Sequence, residues 1–170
     1  MQSCGIHQVR INIKNLDLFL YRIREIAARR NIRIILFNAH YMAGKAHVES
    51  ALFHAFRAQK EGAMISSRVE MEALLYASGS RQIVHGMAFG VHEGENAAYL
   101  CLCQDMHEAW NDLLALCSTA EDEDWETISV EKAAQLCALF SITPQELGVV
   151  GPERIKELVL ERVALLEVYK

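Results

Sequence analysis

The chain has 170 residues, 52% of them apolar and 23% charged, with two prolines and a net charge of −5. Such a chain is ordered and globular and is most simply one domain; it has no apolar run of the roughly 18 residues a membrane helix needs, and no basic start followed by the apolar stretch of a signal peptide. Five cysteines without a Cys-x-x-Cys spacing point to buried thiols in a reducing cytoplasm, and away from disulfides and zinc.

Val9, Ile11 and Ile13 alternate with Arg10, Asn12 and Lys14, as in a strand with one buried face. Asn15 suits a helix N-cap, and Leu16, Phe19, Leu20, Ile23, Ile26 and Ala27 then recur at three- and four-residue steps. Arg29 and Arg30 fall near the end of that helix, where cations suit its dipole. Ile32 to Phe37 is apolar and β-branched, fit for a strand inside a sheet. Past Gly44 a helix sets His47, Val48, Ala51, Leu52, Ala55 and Phe56 on one stripe until Gly62 stops it. Ser67 and Glu70 have capping-box spacing and open a helix to about Ala77, which Gly79 can close in the left-handed conformation. A short helix from Ser80 to about Phe89 ends at Gly90.

Gly94 to Asn96 reads as a turn and Ala97 to Cys103 as a strand, with Cys101 and Cys103 on one core face. Met106 to Cys117 is helical in pattern, Glu121 to Asp124 an acidic solvated loop, and Thr127 to Ser129 a candidate edge strand. Val130 to Phe140 follows as a helix. Thr143-Pro144-Gln145-Glu146 joins an N-cap, a proline at the first helical position and a capping glutamate. Gly151-Pro152 starts the last helix, whose stripe runs through Ile155, Leu158, Val159, Val163, Leu166 and Tyr169. The expected fold is one mixed α/β domain over residues 1–170, with several helices packed on a small, mostly antiparallel sheet. Strand order stays open.

Gly44-Lys45 and Ser78-Gly79-Ser80-Arg81-Gln82 put backbone N–H groups and cations near helix starts, the raw material of an anion-binding surface. Gly44-Lys45 is nevertheless no P-loop, because Ala39 and Ala46 stand where glycine and Ser/Thr are needed. His40, His47 and His54 are seven apart and offer no i,i+4 zinc pair, and Glu70 and Glu72 point apart on a helix. No nucleophile motif appears, so neither catalysis nor a cofactor is expected. Residues 1–90 hold 12 Lys/Arg and 6 Asp/Glu, a balance of +6, and residues 91–170 hold 5 and 16, a balance of −11. Such asymmetry suggests two partner surfaces, the basic one suited to a polyanion.

Phe37-Asn38-Ala39, Gly44-Lys45-x-His47-Val48-x-x-Ala51, and Glu72-x-Leu74-Leu75-x-Ala77-Ser78-Gly79-x-Arg81-Gln82-Ile83 with the later Gly90 together resemble the PRPK-binding protein (TPRKB) family. The tail Leu158 to Glu167 resembles it too, so the likeness spans most of the chain and is most specific in Ser78-Gly79-x-Arg81-Gln82-Ile83. Gly86 and Met87 stand where the family has small and aliphatic residues, and the acidic loop 121–126 matches poorly.

The resemblance implies a non-catalytic, cytoplasmic subunit of KEOPS, the complex that places threonylcarbamoyl on the adenosine beside the anticodon of certain tRNAs. Such a subunit binds and stimulates the kinase/ATPase-like subunit and helps hold tRNA by its single-stranded 3′ CCA end. No membrane and no small-molecule substrate is expected. Lys45, His47, Arg68, Arg81 and Gln82 are then the candidate tRNA contacts, and Leu75, Ile83 and Leu166 the candidate partner contacts. Two other readings stay open. One is a purely structural adaptor without RNA contact; the other is a small ligand-binding domain or enzyme using the Gly44 and Gly79 breaks.

Overall fold

The computed structural model describes residues 3–104 and 107–169. In chain order its elements are β1 (Cys4–Ile13), α1 (Leu16–Arg30), β2 (Arg33–Asn38), α2 (Lys45–Glu61), α3 (Val69–Ser78) and α4 (Ile83–Ala88). Then come β3 (Gly94–Cys103), α5 (His107–Leu113), β4 (Ser118–Thr119), α6 (Val130–Leu139), α7 (Pro144–Val150) and α8 (Ile155–Tyr169). They gather into two compact units, residues 1–38 with 90–124 and residues 39–89 with 125–170.

The first unit contains one antiparallel sheet of order β2-β3-β1-β4. Because β1 and β2 both run against β3, they run parallel to each other, and α1 is the crossover between them. The alternation in β1 buries Val9, Ile11 and Ile13, which share a sheet face with Ile34, Leu36, Ala98, Leu100 and Leu102. α1 lays Phe19, Ile23 and Ile26 on that face, and α5 adds Ala109 and Leu113. The N-cap expected at Asn15 is present, its Oδ1 accepting from Leu18 N at 2.8 Å.

Four expectations change in this unit. The edge strand is Ser118–Thr119 opposite Val9 and Arg10, not Thr127 to Ser129. Ser129 instead caps α6, its Oγ accepting from Lys132 N. The helix expected to reach Cys117 stops at Leu113, whose carbonyl accepts from both Leu116 N and Cys117 N; its expected start, Met106, lies outside the described residues. The acidic loop is engaged as well as solvated: Glu123 takes two bonds from Arg10 at 3.0 and 2.6 Å, and Glu121 accepts from Gln8 N.

The fourth change concerns the cysteines, which are not all thiols. Cys4 and Cys103 form a disulfide, while Cys101, Cys117 and Cys137 are free. Gln104 N donates to Ser3 O, so the neighbouring pair Cys4 and Cys103 takes the closely spaced, non-hydrogen-bonded place in the ladder, with Cα atoms 4.0 Å apart. A contact between residues 99 apart in sequence leaves no trace in local spacing.

The second unit is helical. α2 buries Val48, Ala51, Leu52, Ala55 and Ala58, and its alanines admit α3 closely. α8 buries Ile155, Leu158, Val159, Val163 and Leu166, whereas Tyr169, expected to continue that stripe, is 66% exposed. The capping box expected from Ser67 and Glu70 is replaced by Glu72, whose fully buried carboxylate accepts from Ile65 N, Ser66 N and Ser66 Oγ. Glu72 is thereby paired through hydrogen bonds, as a buried carboxylate must be. Thr143 caps α7 as expected, and Arg162 of α8 grips Glu146 of α7 with two bonds at 2.8 and 2.7 Å.

The core of the first unit rests on α1, and Ile23 is 6% exposed within it. Ile23→Ala should cost about 2–5 kcal/mol, read as a lower urea midpoint at unchanged m value.

Candidate functional site

The two glycine-marked breaks of the sequence meet in the second unit. Helix α2 begins at Lys45 after Gly44 (φ +97°), and α3 ends at Gly79 (φ +61°), both in backbone regions that suit glycine. His47 holds the two together. Its Nδ1 accepts from Ala43 N at 3.0 Å, and its Nε2 lies 2.8 Å from Ala77 O, which can only accept; the ring is therefore the neutral Nε2–H tautomer. The start of α2 thus lies against the end of α3.

His47 is 1% exposed, with Phe89 and Phe140 edge-on to its ring. Burial drives its pKa down to about 4, and nearby Lys132 pushes the same way, against the bond to Ala77. As a candidate tRNA contact His47 is corrected: both ring nitrogens serve the fold and the ring has no free face.

Around this junction lie the other candidates. Lys45 and Arg81 flank it and are exposed. Arg81 donates from Nη1 to Tyr169 O at 2.9 Å and so secures the last turn of α8. Gln82 is the N-cap residue of α4; it acts there through its backbone, N donating to Ser80 Oγ and the carbonyl accepting from His85 N and Gly86 N. Arg68 is set apart, at the other end of α3. Ten helical residues (Val69–Ser78) put it about 15 Å from the junction along the helix axis, and Glu70 holds its guanidinium at 3.6 Å.

Neither break is an open pocket. The Glu126 carboxylate fills the first: it accepts from Lys45 N at 2.7 Å and from Lys156 Nζ at 2.8 Å, standing in for the side-chain cap that Gly44 lacks. A Cβ at Gly44 would come within 2.6 Å of that carboxylate. Half-buried Lys132 donates to Ala39 O beside it; burial and then Lys156 hold its ammonium below the ordinary range. At the second break a Cβ on Gly79 would come within 3.3 Å of Arg162 O, so α8 approaches the turn backbone to backbone.

Helix α4, which follows, is inside out. Its buried residue is Gly86, where a Cβ would meet Leu75 Cδ2 at 3.0 Å, while Ile83, Val84 and Met87 are 45%, 70% and 58% exposed. Among the candidate partner contacts, then, Ile83 is exposed and Leu75 and Leu166 are not, at 0% and 4%. Those two belong to the core, because Gly86 opens room for Leu75 and α8 turns Leu166 inward. The sequence reading missed Val84 and Met87. The signal for them was a short apolar helix carrying glycine where an inward side chain would stand.

The His47 bridge requires a neutral ring. With a folded pKa of about 4 against an ordinary 6.5, the unfolded chain binds the extra proton between those values. Stability from this group is whole above about pH 6.5 and is lost as pH falls toward 4, by about 3 kcal/mol. His47→Gln should flatten that part of a denaturation-against-pH profile, since an amide offers the same donor and acceptor without titrating.

Among curated proteins none matches the chain significantly. The model of the family described as kinase binding protein CGI-121 matches residues 11–167, nearly the whole chain. On that match the chain belongs to the kinase binding protein CGI-121 family, which is the TPRKB family.

Proposed function

We propose that this chain is a non-catalytic regulatory subunit of KEOPS. It binds and stimulates the kinase/ATPase-like subunit in the cytoplasm and helps recruit tRNA by its 3′ CCA end. The observation that carries the kinase half is the inverted helix α4. A free-standing helix gains by turning apolar side chains inward, yet here Ile83, Val84 and Met87 face solvent around a buried glycine. An apolar surface on a pinned element is what a protein partner covers. Arg81, bonded to Tyr169 O, ties the start of α4 to an α8 end that itself exposes Val168 and Tyr169 at 71% and 66%.

The reading is tested by co-elution with the kinase-like subunit. Ile83→Glu, Val84→Glu and Met87→Glu should each weaken binding by about 2 kcal/mol or more, roughly thirtyfold in Kd, with the helical dichroism intact. Leu166→Glu should instead unfold the helical unit, because its carboxylate would be buried without a partner. Full affinity in all three folded α4 variants would sink the assignment.

The tRNA half rests on Lys45 and Arg81, two exposed cations at one end of the α2–α3 pair. A single-stranded end offers them phosphate, and such contacts are salt-dependent and largely blind to sequence. Lys45→Glu and Arg81→Gln should lower tRNA affinity and each reduce the slope of log affinity against log salt by about 0.7. Trimming the CCA end should cost a similar amount, and the losses should not add, since they remove the same contact. Full affinity for trimmed tRNA would favour an adaptor without RNA contact.

A further inference from the structure

We propose that the Cys4–Cys103 disulfide is a redox-sensitive staple, which when closed holds residues 4–8 of β1 on β3 and when opened by small thiols releases that strand end while the core of the unit stays folded. Along β1, residues 4–8 are only partly buried, and the deeply buried alternation begins at Val9. Core packing therefore fixes the second half of the strand. The first half depends on its ladder to β3, on the disulfide, on His7, which stacks on Trp110 at 4.4 Å and pairs with Glu121, and at its inner end on Gln8, whose side chain donates to the carbonyls of Ala120 and Glu123. The bond lies at the open end of the ladder, one residue past Ser3, and Cys4 is the more exposed of its two cysteines. Two of the three remaining thiols compete poorly: Cys101 is fully buried, and burial pushes Cys101 up out of the ordinary thiol range and Cys117 to about 11.

The exchange balances with a low-molecular-weight thiol as reductant. Its thiolate attacks the Cys4 sulfur; the S–S bond breaks, and the electron pair leaves on the Cys103 sulfur, which takes a proton. A second thiol displaces Cys4 from the mixed disulfide. The protein gains two electrons and two protons, and the small thiol becomes its disulfide. An excess of that disulfide runs the steps backwards. In a reducing cytoplasm the staple would stand open, and it would close on oxidation.

The test uses the full chain equilibrated with glutathione and its disulfide at varied ratios, without denaturant. Differential alkylation should find Cys4 and Cys103 closed at the oxidised extreme and open at the reduced one, with Cys101 unchanged. Hydrogen exchange of the ladder amides of Gly5 and His7 should rise about tenfold or more on reduction, while those of Val9, Ile11 and Ile13 hold. The melting temperature should fall by at least about 5 °C. Cys4→Ser with Cys103→Ser should behave as the reduced form at every ratio. Both cysteines open at the oxidised extreme, a bond that survives excess glutathione, equal exchange in the two states, or loss of the whole fold on reduction would each overturn the proposal.

Discussion

The second unit depends on one imidazole. His47 takes Ala43 N on one side and gives to Ala77 O on the other, so a single ring joins the turn before α2 to the last turn of α3. Ala77 O is one of the last carbonyls of α3, which a helix leaves unsatisfied, and Ala43 N lies in the turn just before the N-cap of α2. Gly44 and Lys45 precede the ring by a few residues, and Gly79, Arg81 and α4 follow Ala77 by a few. A protonated ring would have a second N–H where Ala43 N already donates, so the bridge exists only for the neutral form. Desolvation among Phe89 and Phe140 keeps it neutral.

From the junction outward the chain uses small residues to bring backbones together. Gly79 lets α8 approach through Arg162 O, and Gly86 lets α4 sit down on Leu75. The consequence at α4 is geometric. A helix packed through a glycine sits too close for its flanking side chains to turn inward, so Ile83, Val84 and Met87 are presented outward. A larger residue at position 86 would lift α4 off Leu75, and the presented surface would move with it.

What was legible in the sequence was local. Asn15, Gly62, Gly79 and Thr143 act within a turn of where they stand, and all four mark helix ends as their chemistry suggests. The alternation of Val9, Ile11 and Ile13 and the stripes of α1 and α8 follow from the period of one element. What was not legible needs a second segment. The partner of Cys4 is 99 residues away, and β4 is two residues long. Glu72 matched no capping motif because its bonds run back to a loop before the helix, while the more regular Ser67 and Glu70 spacing lost to it. At the site, Arg81 and Ile83 were in view as motif residues, and their exposure was not. Leu75 and Leu166, named with Ile83 as candidate partner contacts, are denied a surface by packing.

Charge shows the same limit from the other direction. Along the chain the balance is +6 and then −11, which suggests a basic face and an acidic one. In space the division dissolves. Counted by compact unit, residues 1–38 and 90–124 hold 7 Lys/Arg and 11 Asp/Glu (−4), and the remainder hold 10 and 11 (−1), which together return −5. The basic half is spent partly on the acidic half: Arg10 binds Glu123, and Arg29 and Arg30 both reach Asp112. The Arg30 hydrogen bond draws the Asp112 pKa down. Neither unit offers a broad positive field to steer a polyanion from a distance. An RNA contact on this protein would then be short-ranged and built from a few exposed cations at one place. The junction of α2 and α3, with Lys45 and Arg81 at its edge, has that character.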